Sequence, residues 1–329
     1  MMKISSRGER GSLSKNTGMS GWRVRLHGGL ATTLSNPLRK TVKTSRSVSG
    51  RGLRYHRAVS DPLSQAQREA YTRDGYVVVA GLYNGDDGER VRRLVFRSVL
   101  RFVPSLAASA DVAEPWHSDA FEQAVRRLYA SDREAFSAFW DMLQNAALLR
   151  ELVSAPRTLR AVAALLDEEA DGLALSGVQL RVDVPNDPHN THAFHQERAY
   201  YTQNIDGARG LVMSIAVQDT PADQGALRVC PGSHRDGLIP HDTPQGAGGQ
   251  QNLPARVLEG RTVTSTDYAQ GEALFVNMNT FHQAGRNLTE RVRYTVLCRY
   301  HQMLGDPNYI ATRARLEPNA VLLKRAQKG

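Results

Sequence analysis

An imidazole and a carboxylate stand two residues apart at His195 and Glu197, and a second imidazole follows at His282. On an extended segment, side chains at i and i+2 project from the same face, so His195 and Glu197 can reach one ion together. Two histidines and one carboxylate on one face of a metal leave the opposite positions open. That is the donor set of non-haem Fe(II) oxygenases, in which the open positions take co-substrate and O2. H-x-E alone is a weak signal, since chance matches are common. A competing set is His189, His192 and His195, every third residue, which would suit a zinc-like site; loop residues at that spacing rarely converge. Cys230 and Cys298 are too few for a disulfide framework or a four-thiolate site, and both read as unreactive strand residues.

The residues after His282 add a second kind of chemistry. Arg293 and Thr295 share a face by strand parity. A guanidinium fork can grip the carboxylate of a metal-bound 2-oxo acid in a way a lysine cannot, and Thr295 adds a hydroxyl donor. Arg291 has the same parity and is the backup. Gln179 and Arg181 occupy the polar face of another strand and are candidates for the pocket lining, Arg181 towards substrate. Tyr200 is divided between wall packing and a hydrogen bond to the 2-oxo acid. His234, after Pro231-Gly232-Ser233, reads as a turn residue, and Gly246-Ala247-Gly248-Gly249 as a lid or an ordinary flexible loop.

Elements of two kinds must position these groups. Ser60-Asp61-Pro62 is a helix-start signal, and Leu63, Ala66 and Ala70 follow at helical spacing up to Asp74-Gly75. Tyr76-Val77-Val78-Val79 is a short strand. A second helix follows the turn Asp86-Asp87-Gly88, with Val91, Leu94, Val95 and Val99 on one face. A third places Phe136, Phe139, Trp140, Leu143 and Ala147 on a core-facing stripe; Pro156 interrupts, and a short helix runs to about Leu166. After Asp171-Gly172 the period changes from 3.6 to 2. Apolar and polar residues alternate over 178–184, and strand-like runs recur at 211–217, 226–230, 273–277 and 292–299. Helices first and strands later, with no G-x-G-x-x-G or P-loop, argue for a β-sandwich or barrel with helical elaboration rather than an alternating βαβ chain.

Five ordered segments resemble the phytanoyl-CoA dioxygenase family of Fe(II)/2-oxoglutarate-dependent oxygenases, over about residues 62–302. Asp74-Gly75-Tyr76-Val77-Val78 resembles the family's DGYVVV segment, and Arg181-Val182-Asp183-Val184-Pro185-Asn186-Asp187 continues the match. His195-Gln196-Glu197-Arg198-Ala199-Tyr200 is similar to H-Q-D-x-x-Y, and the run from Gln224 to His234 to GxLxVxPGSH. His282, Asn287 and Arg293 reproduce H-x4-N-x5-R. The resemblance implies a mainly β chain: a double-stranded β-helix (jelly-roll) core preceded by an α-helical region. It also implies one Fe(II) on His195, Glu197 and His282, and 2-oxoglutarate with its far carboxylate on Arg293. The reaction implied is hydroxylation of a small-molecule or carrier-bound acyl substrate, with succinate and CO2 as co-products. Two positions depart from the pattern: Glu197 replaces the usual Asp, and Met213 stands where many relatives carry tryptophan, which would widen the pocket wall. A carboxylate retained at 197 favours hydroxylation over halogenation. The alternatives are a non-catalytic jelly-roll binding protein whose metal site Glu197 has spoiled, and a cupin-like metalloenzyme that needs no 2-oxo acid.

Charge narrows the remaining classes. The 329 residues hold 42 Lys and Arg against 33 Asp and Glu, yet residues 1–60 carry thirteen of the bases and one acid, Glu9, for a net +12. The other 269 residues have 29 bases and 32 acids, a net −3, so the body lacks the basic excess that phosphate binding needs. Residues 1–60 read as a disordered extension, an organellar presequence, a nucleic-acid arm or translation upstream of a later start such as Met19. The expected location is the cytoplasm, or mitochondria if the basic segment is a presequence. No stretch approaches the roughly 18 apolar residues of a membrane span. The expected organisation is therefore that extension followed by a single oxygenase domain over 61–329: helical over 61–175, jelly-roll over 176–305, and a C-terminal segment over 306–329.

Overall fold

Ser64 opens the first helix of the computed structural model, which describes residues 62–109, 111–187, 191–201, 209–243 and 250–305. Helix α1 (Gln65–Asp74) begins with a capping box: the Ser64 hydroxyl accepts from the Gln67 amide, and the Gln67 side chain accepts from the Ser64 amide. That reciprocal pair satisfies two free helix donors and moves the start past the expected Ser60-Asp61-Pro62. Gly75 ends α1 in the left-handed region (φ +79°). A Cβ there would lie 2.4 Å from His234 Nδ1 and 2.5 Å from Thr280 Oγ1. The chain turns at once into β1 (Tyr76–Val79).

Helix α2 (Gly85–Val99) is capped by Asn84, so Asp86-Asp87-Gly88 form its first turn rather than a turn before it. Acidic side chains there suit the positive end of the helix dipole. Four more helices follow: α3 (Asp119–Ser131), which the sequence reading did not separate, α4 (Arg133–Gln144), α5 (Ala147–Val153) and α6 (Pro156–Leu166). Phe136, Phe139 and Leu143 of α4 are buried in the core as expected, and Pro156 is the first residue of α6, where its missing N–H costs nothing.

The strands are β2 (Leu173–Asp183), β3 (Gly210–Ala216), β4 (Leu227–Val229), β5 (Thr264–Ser265), β6 (Ala273–Asn277), β7 (His282–Ala284) and β8 (Arg293–Gln302). They form two antiparallel sheets. The larger has the order β1-β6-β3-β8-β2 and the smaller β5-β4-β7. The helical region thus lends β1 to the jelly roll, in register Tyr76–Val276 to Val79–Ala273. Strand β2 starts at Leu173 and carries an irregularity between Ser176 and Gln179, where Gly177 has φ +59°.

Parity divides the large sheet into two faces. Leu180 and Val182 of β2, Leu211, Met213 and Ile215 of β3, and Tyr294, Val296, Cys298 and Tyr300 of β8 pack with Val95, Phe121, Phe139 and Leu149 of the helices. The alternate residues line a cavity between the sheets: Gln179 and Arg181, Val212 and Ser214, and Arg293, Thr295, Leu297 and Arg299. Met213 therefore faces the helices, where it accepts a hydrogen bond from the Tyr83 hydroxyl at 3.7 Å, and leaves the pocket wall unchanged. That corrects the expectation of a widened wall. Among the described residues no helix is long and apolar enough to cross a membrane. The basic segment 1–60, His189, the Gly246 to Gly249 run and the segment 306–329 lie outside the described residues.

Candidate metal centre

His195 and His282 face each other across an isolated antiparallel bridge, each amide donating to the other's carbonyl at 2.9 and 3.0 Å. His282 is the first residue of β7, so the bridge ties the 195 segment to the small sheet. Glu197 is not on a strand, as the i, i+2 argument assumed; it opens a 3-10 turn spanning Glu197–Tyr200. The turn still brings its carboxylate to the same place. One ligand atom from each of His195, Glu197 and His282 lies within 4.8 Å of the other two, and His195 Nε2 stands 3.9 Å from Glu197 Oε2.

Tautomers follow from the neighbours. His195 Nδ1 lies 2.8 Å from the Ala193 carbonyl and His282 Nδ1 2.8 Å from the Thr280 carbonyl. A carbonyl only accepts, so both Nδ1 atoms carry the proton and both Nε2 lone pairs face inward, the usual outer-shell arrangement of metal-binding histidines. Burial lowers the pKa of both imidazoles, that of His195 far more, with His282 adding to the effect there. Both are thus neutral, as metal ligation requires.

Gln196, between His195 and Glu197, is scaffold. The Gln196 amide nitrogen donates to His241 Nε2 at 2.9 Å. Its side chain donates to the Gly237 and Asn279 carbonyls, both at 2.7 Å, and accepts from the Ile239 amide at 2.8 Å. Ser233, in the Pro-Gly-Ser-His run, likewise accepts from the Phe281 amide at 2.9 Å, one residue before His282. His234 binds the Thr72 carbonyl through Nε2 at 3.1 Å and sits in the turn expected of it.

The cavity has a volume of about 210 Å³ and is lined by eight of the residues named from the sequence: His195, Glu197 and His282 for the metal, Gln179, Tyr200, Arg293 and Thr295 for the co-substrate, and Arg181 for the substrate. His192 also lines it, its ring 5.8 Å from that of His195, but it is outside the three-residue cluster. The Tyr200 ring meets His195 edge-on at 5.9 Å and its hydroxyl accepts from the Gln251 amide at 3.0 Å. Arg291 is exposed before β8 begins, 3.9 Å from Asp119, which removes it as the backup. The cysteines are buried and unpaired with each other; burial raises the Cys230 thiol and pushes that of Cys298 up to about 12.

Arg293 is oriented from within the fold. Its Nε and Nη2 donate to Asp183 Oδ2 at 3.0 and 2.5 Å, and Nη1 donates to the Gly225 carbonyl. A guanidinium has five N–H groups, so Nη1 and Nη2 each retain one beyond these bonds. Arg181 Nη2 donates to Asp183 Oδ1 at 2.7 Å, so one buried carboxylate serves two cations. Asn287 fixes the arrangement by donating to the Asp183 and Arg291 carbonyls at 2.9 and 2.7 Å. Next to Arg293 on the same face, the buried Thr295 Oγ1 has no hydrogen-bond partner among the described residues. An orphan hydroxyl beside an oriented guanidinium, in a cavity that also holds two inward Nε2 atoms and a carboxylate, fits a chelated dicarboxylate and a hard or borderline metal.

Three polar lining residues lie outside the candidates named from the sequence. Arg299 donates from Nε to Glu197 Oε1 at 3.0 Å; its parity with Arg293 on β8 was the available signal. Ser214 and Tyr268 share a 2.7 Å hydrogen bond on the cavity wall, and nothing local in the sequence marks them.

A family model described as "Phytanoyl-CoA dioxygenase (PhyH)" matches residues 71–295. Phytanoyl-CoA dioxygenase, peroxisomal, of Rattus norvegicus is 23% identical over 78% of this chain and 73% of its own; the Mus musculus protein is 23% identical over 72% and 68%. Among solved structures, EvdO2 from Micromonospora carbonacea var. aurantiaca complexed with 2-oxoglutarate aligns with a TM-score of 0.48 and 16% identity, covering 75% of this chain and 96% of that one. With the family match extending over more than half of the sequence, the chain belongs to the phytanoyl-CoA dioxygenase family of Fe(II)/2-oxoglutarate-dependent oxygenases.

Proposed function

We propose that the protein is a hydroxylase of a small-molecule or carrier-bound acyl substrate, using Fe(II), 2-oxoglutarate and O2 and releasing succinate and CO2. The observation that carries this reading is the convergence of one ligand atom from each of His195, Glu197 and His282 within 4.8 Å, with both Nδ1 atoms tied to carbonyls. Iron held there supplies O2 activation coupled to oxidation of the 2-oxo acid. His195 and His282 hold the metal as neutral donors, and Glu197 offsets one of its charges. Arg293 directs its two remaining N–H groups, and Thr295 its unpartnered hydroxyl, to the far carboxylate of 2-oxoglutarate. Gln179 and Tyr200 line the co-substrate's space, and Arg181 flanks the substrate side. Val212, Leu227, Val276 and Leu297 give the cavity an apolar wall, which would limit water at the reacting carbon once substrate fills the space.

The 3.9 Å between Glu197 Oε2 and His195 Nε2, reached despite the extra methylene, supports an intact site over a spoiled one. The test is anaerobic loading with Fe(II) followed by 2-oxoglutarate turnover. About one iron per chain, and succinate formation that disappears in His282→Ala, are expected. Iron stoichiometry near zero in the wild-type protein would favour the binding-protein alternative, and metal uptake without any response to 2-oxoglutarate would favour the cupin-like one.

A further inference from the structure

Glu197 poses a coordination problem that a shorter ligand poses less sharply. A carboxylate on two methylenes has the freedom to turn both oxygens to one ion, and a chelating Glu197 would take a position that the co-substrate needs. The two oxygens are treated differently here. Oε2 is the one 3.9 Å from His195 Nε2, whereas Oε1 accepts from Arg299 Nε at 3.0 Å. Both side chains are buried, with 9% of Arg299 and 5% of Glu197 exposed.

Arg299 is itself anchored. Its Nη1 donates to the Gly177 carbonyl at 3.0 Å, at the irregularity where the β2–β8 register shifts between Ser176 and Gln179. Gly177 has φ +59°, and a Cβ there would lie 3.1 Å from Arg299 Cδ. The bulge both turns a carbonyl toward the guanidinium and clears room for its stem, as bulges beside functional sites commonly do.

We propose that Arg299 is a positioning residue that reserves Oε1 of Glu197, so that this ligand gives the metal Oε2 alone and the positions for 2-oxoglutarate stay open. The inference rests on the metal-site reading above. It accounts for three features together: the longer ligand, a buried arginine beside a cation site, and a glycine bulge in an otherwise regular strand.

The experiment uses the full chain loaded anaerobically, with Co(II) for the ligand-field spectrum and with Fe(II) for titration of 2-oxoglutarate by its visible charge-transfer band. In Arg299→Met, one metal per chain is expected to remain. The Co(II) spectrum recorded without 2-oxoglutarate should change, and the 2-oxoglutarate midpoint should rise about tenfold or more. Arg299→Lys should recover part of both. Gly177→Ala, which crowds the Arg299 stem and strains the bulge while keeping the guanidinium, should shift both in the same direction by less, and it decides the matter if Arg299→Met does not fold. A Co(II) spectrum and midpoint identical to wild type in a metal-loaded variant would overturn the proposal, and so would loss of the metal itself. Failure of the wild-type protein to take up metal would instead overturn the reading on which it rests.

Discussion

Replacing Asp183 by Asn removes one charge and almost no volume, and the structure says how much that charge carries. The carboxylate receives Arg181 Nη2 at 2.7 Å on Oδ1, and Arg293 Nε and Nη2 at 3.0 and 2.5 Å on Oδ2. A neutral amide in its place would leave two guanidiniums without a counter-charge, one of them, Arg293, only 6% exposed. Removing one partner of a buried pair costs about 3–5 kcal/mol, and Arg181, at 17% exposed, contributes less than Arg293 because water screens it. For a domain of this size, that corresponds to a fall in melting temperature on the order of 10 °C. The pH dependence adds a sign. Burial by itself would raise the Asp183 pKa, but Arg181 and Arg293 bring it down to about 2, from 3.8. A depressed folded pKa contributes stability that is complete above the unfolded value and is lost as pH falls through the folded one. The gap between wild type and Asp183→Asn should therefore narrow by about 2 kcal/mol between pH 4 and pH 2. Urea unfolding of the apo proteins across that range measures it. A loss below about 1 kcal/mol at pH 7, or a gap independent of pH, would refute the reading of Asp183 as the shared counter-ion.

Other outcomes test separate parts of the structure. Arg293→Ala should raise the KM for 2-oxoglutarate far more than it changes iron content, while Thr295→Val should raise it modestly, by the value of one hydrogen bond to a charged group, about 1.5–3 kcal/mol; steady-state kinetics and metal analysis separate the two effects. Gly75→Ala should destabilise the fold by roughly 1–2 kcal/mol from the left-handed backbone alone, and by more if His234 and Thr280 cannot retreat from the new Cβ, as thermal unfolding would show. Neither Cys230 nor Cys298 should react with iodoacetamide in the native protein, since burial raises both thiols; both should label once it is unfolded in urea, as intact mass would record.

Several parts of the fold were legible because their causes are local. The switch from a period of 3.6 to one of 2 separated the helices from β2, and the strand over 273–277 appears with those bounds as β6. Errors arose where two local signals competed or where a partner was remote. Ser60-Asp61-Pro62 and Ser64 with Gln67 are both helix starts, and only the second pair completes a reciprocal cap. Met213 does not shape the pocket wall, because Val212 and Ser214 occupy the cavity face; which face of β3 looks inward depends on its pairing with β6 and β8. Glu197 joins His195 and His282 through a turn rather than by strand parity, so the three side chains converge for a different reason.

The candidate donor set is legible in the sequence alone. His195, Glu197 and His282 specify a class of metal by atom type, and Arg293 and Thr295 a kind of anion, because ligand preference and hydrogen-bonding capacity belong to side chains wherever they lie. Only the tertiary structure decided which charges meet. Asp183 and Arg293 are 110 residues apart in the chain, and Glu197 and Arg299 are 102. Ion pairing acts through space and leaves no local mark, so the shared counter-ion and the guard on Glu197 emerge only when the sheets close around the cavity.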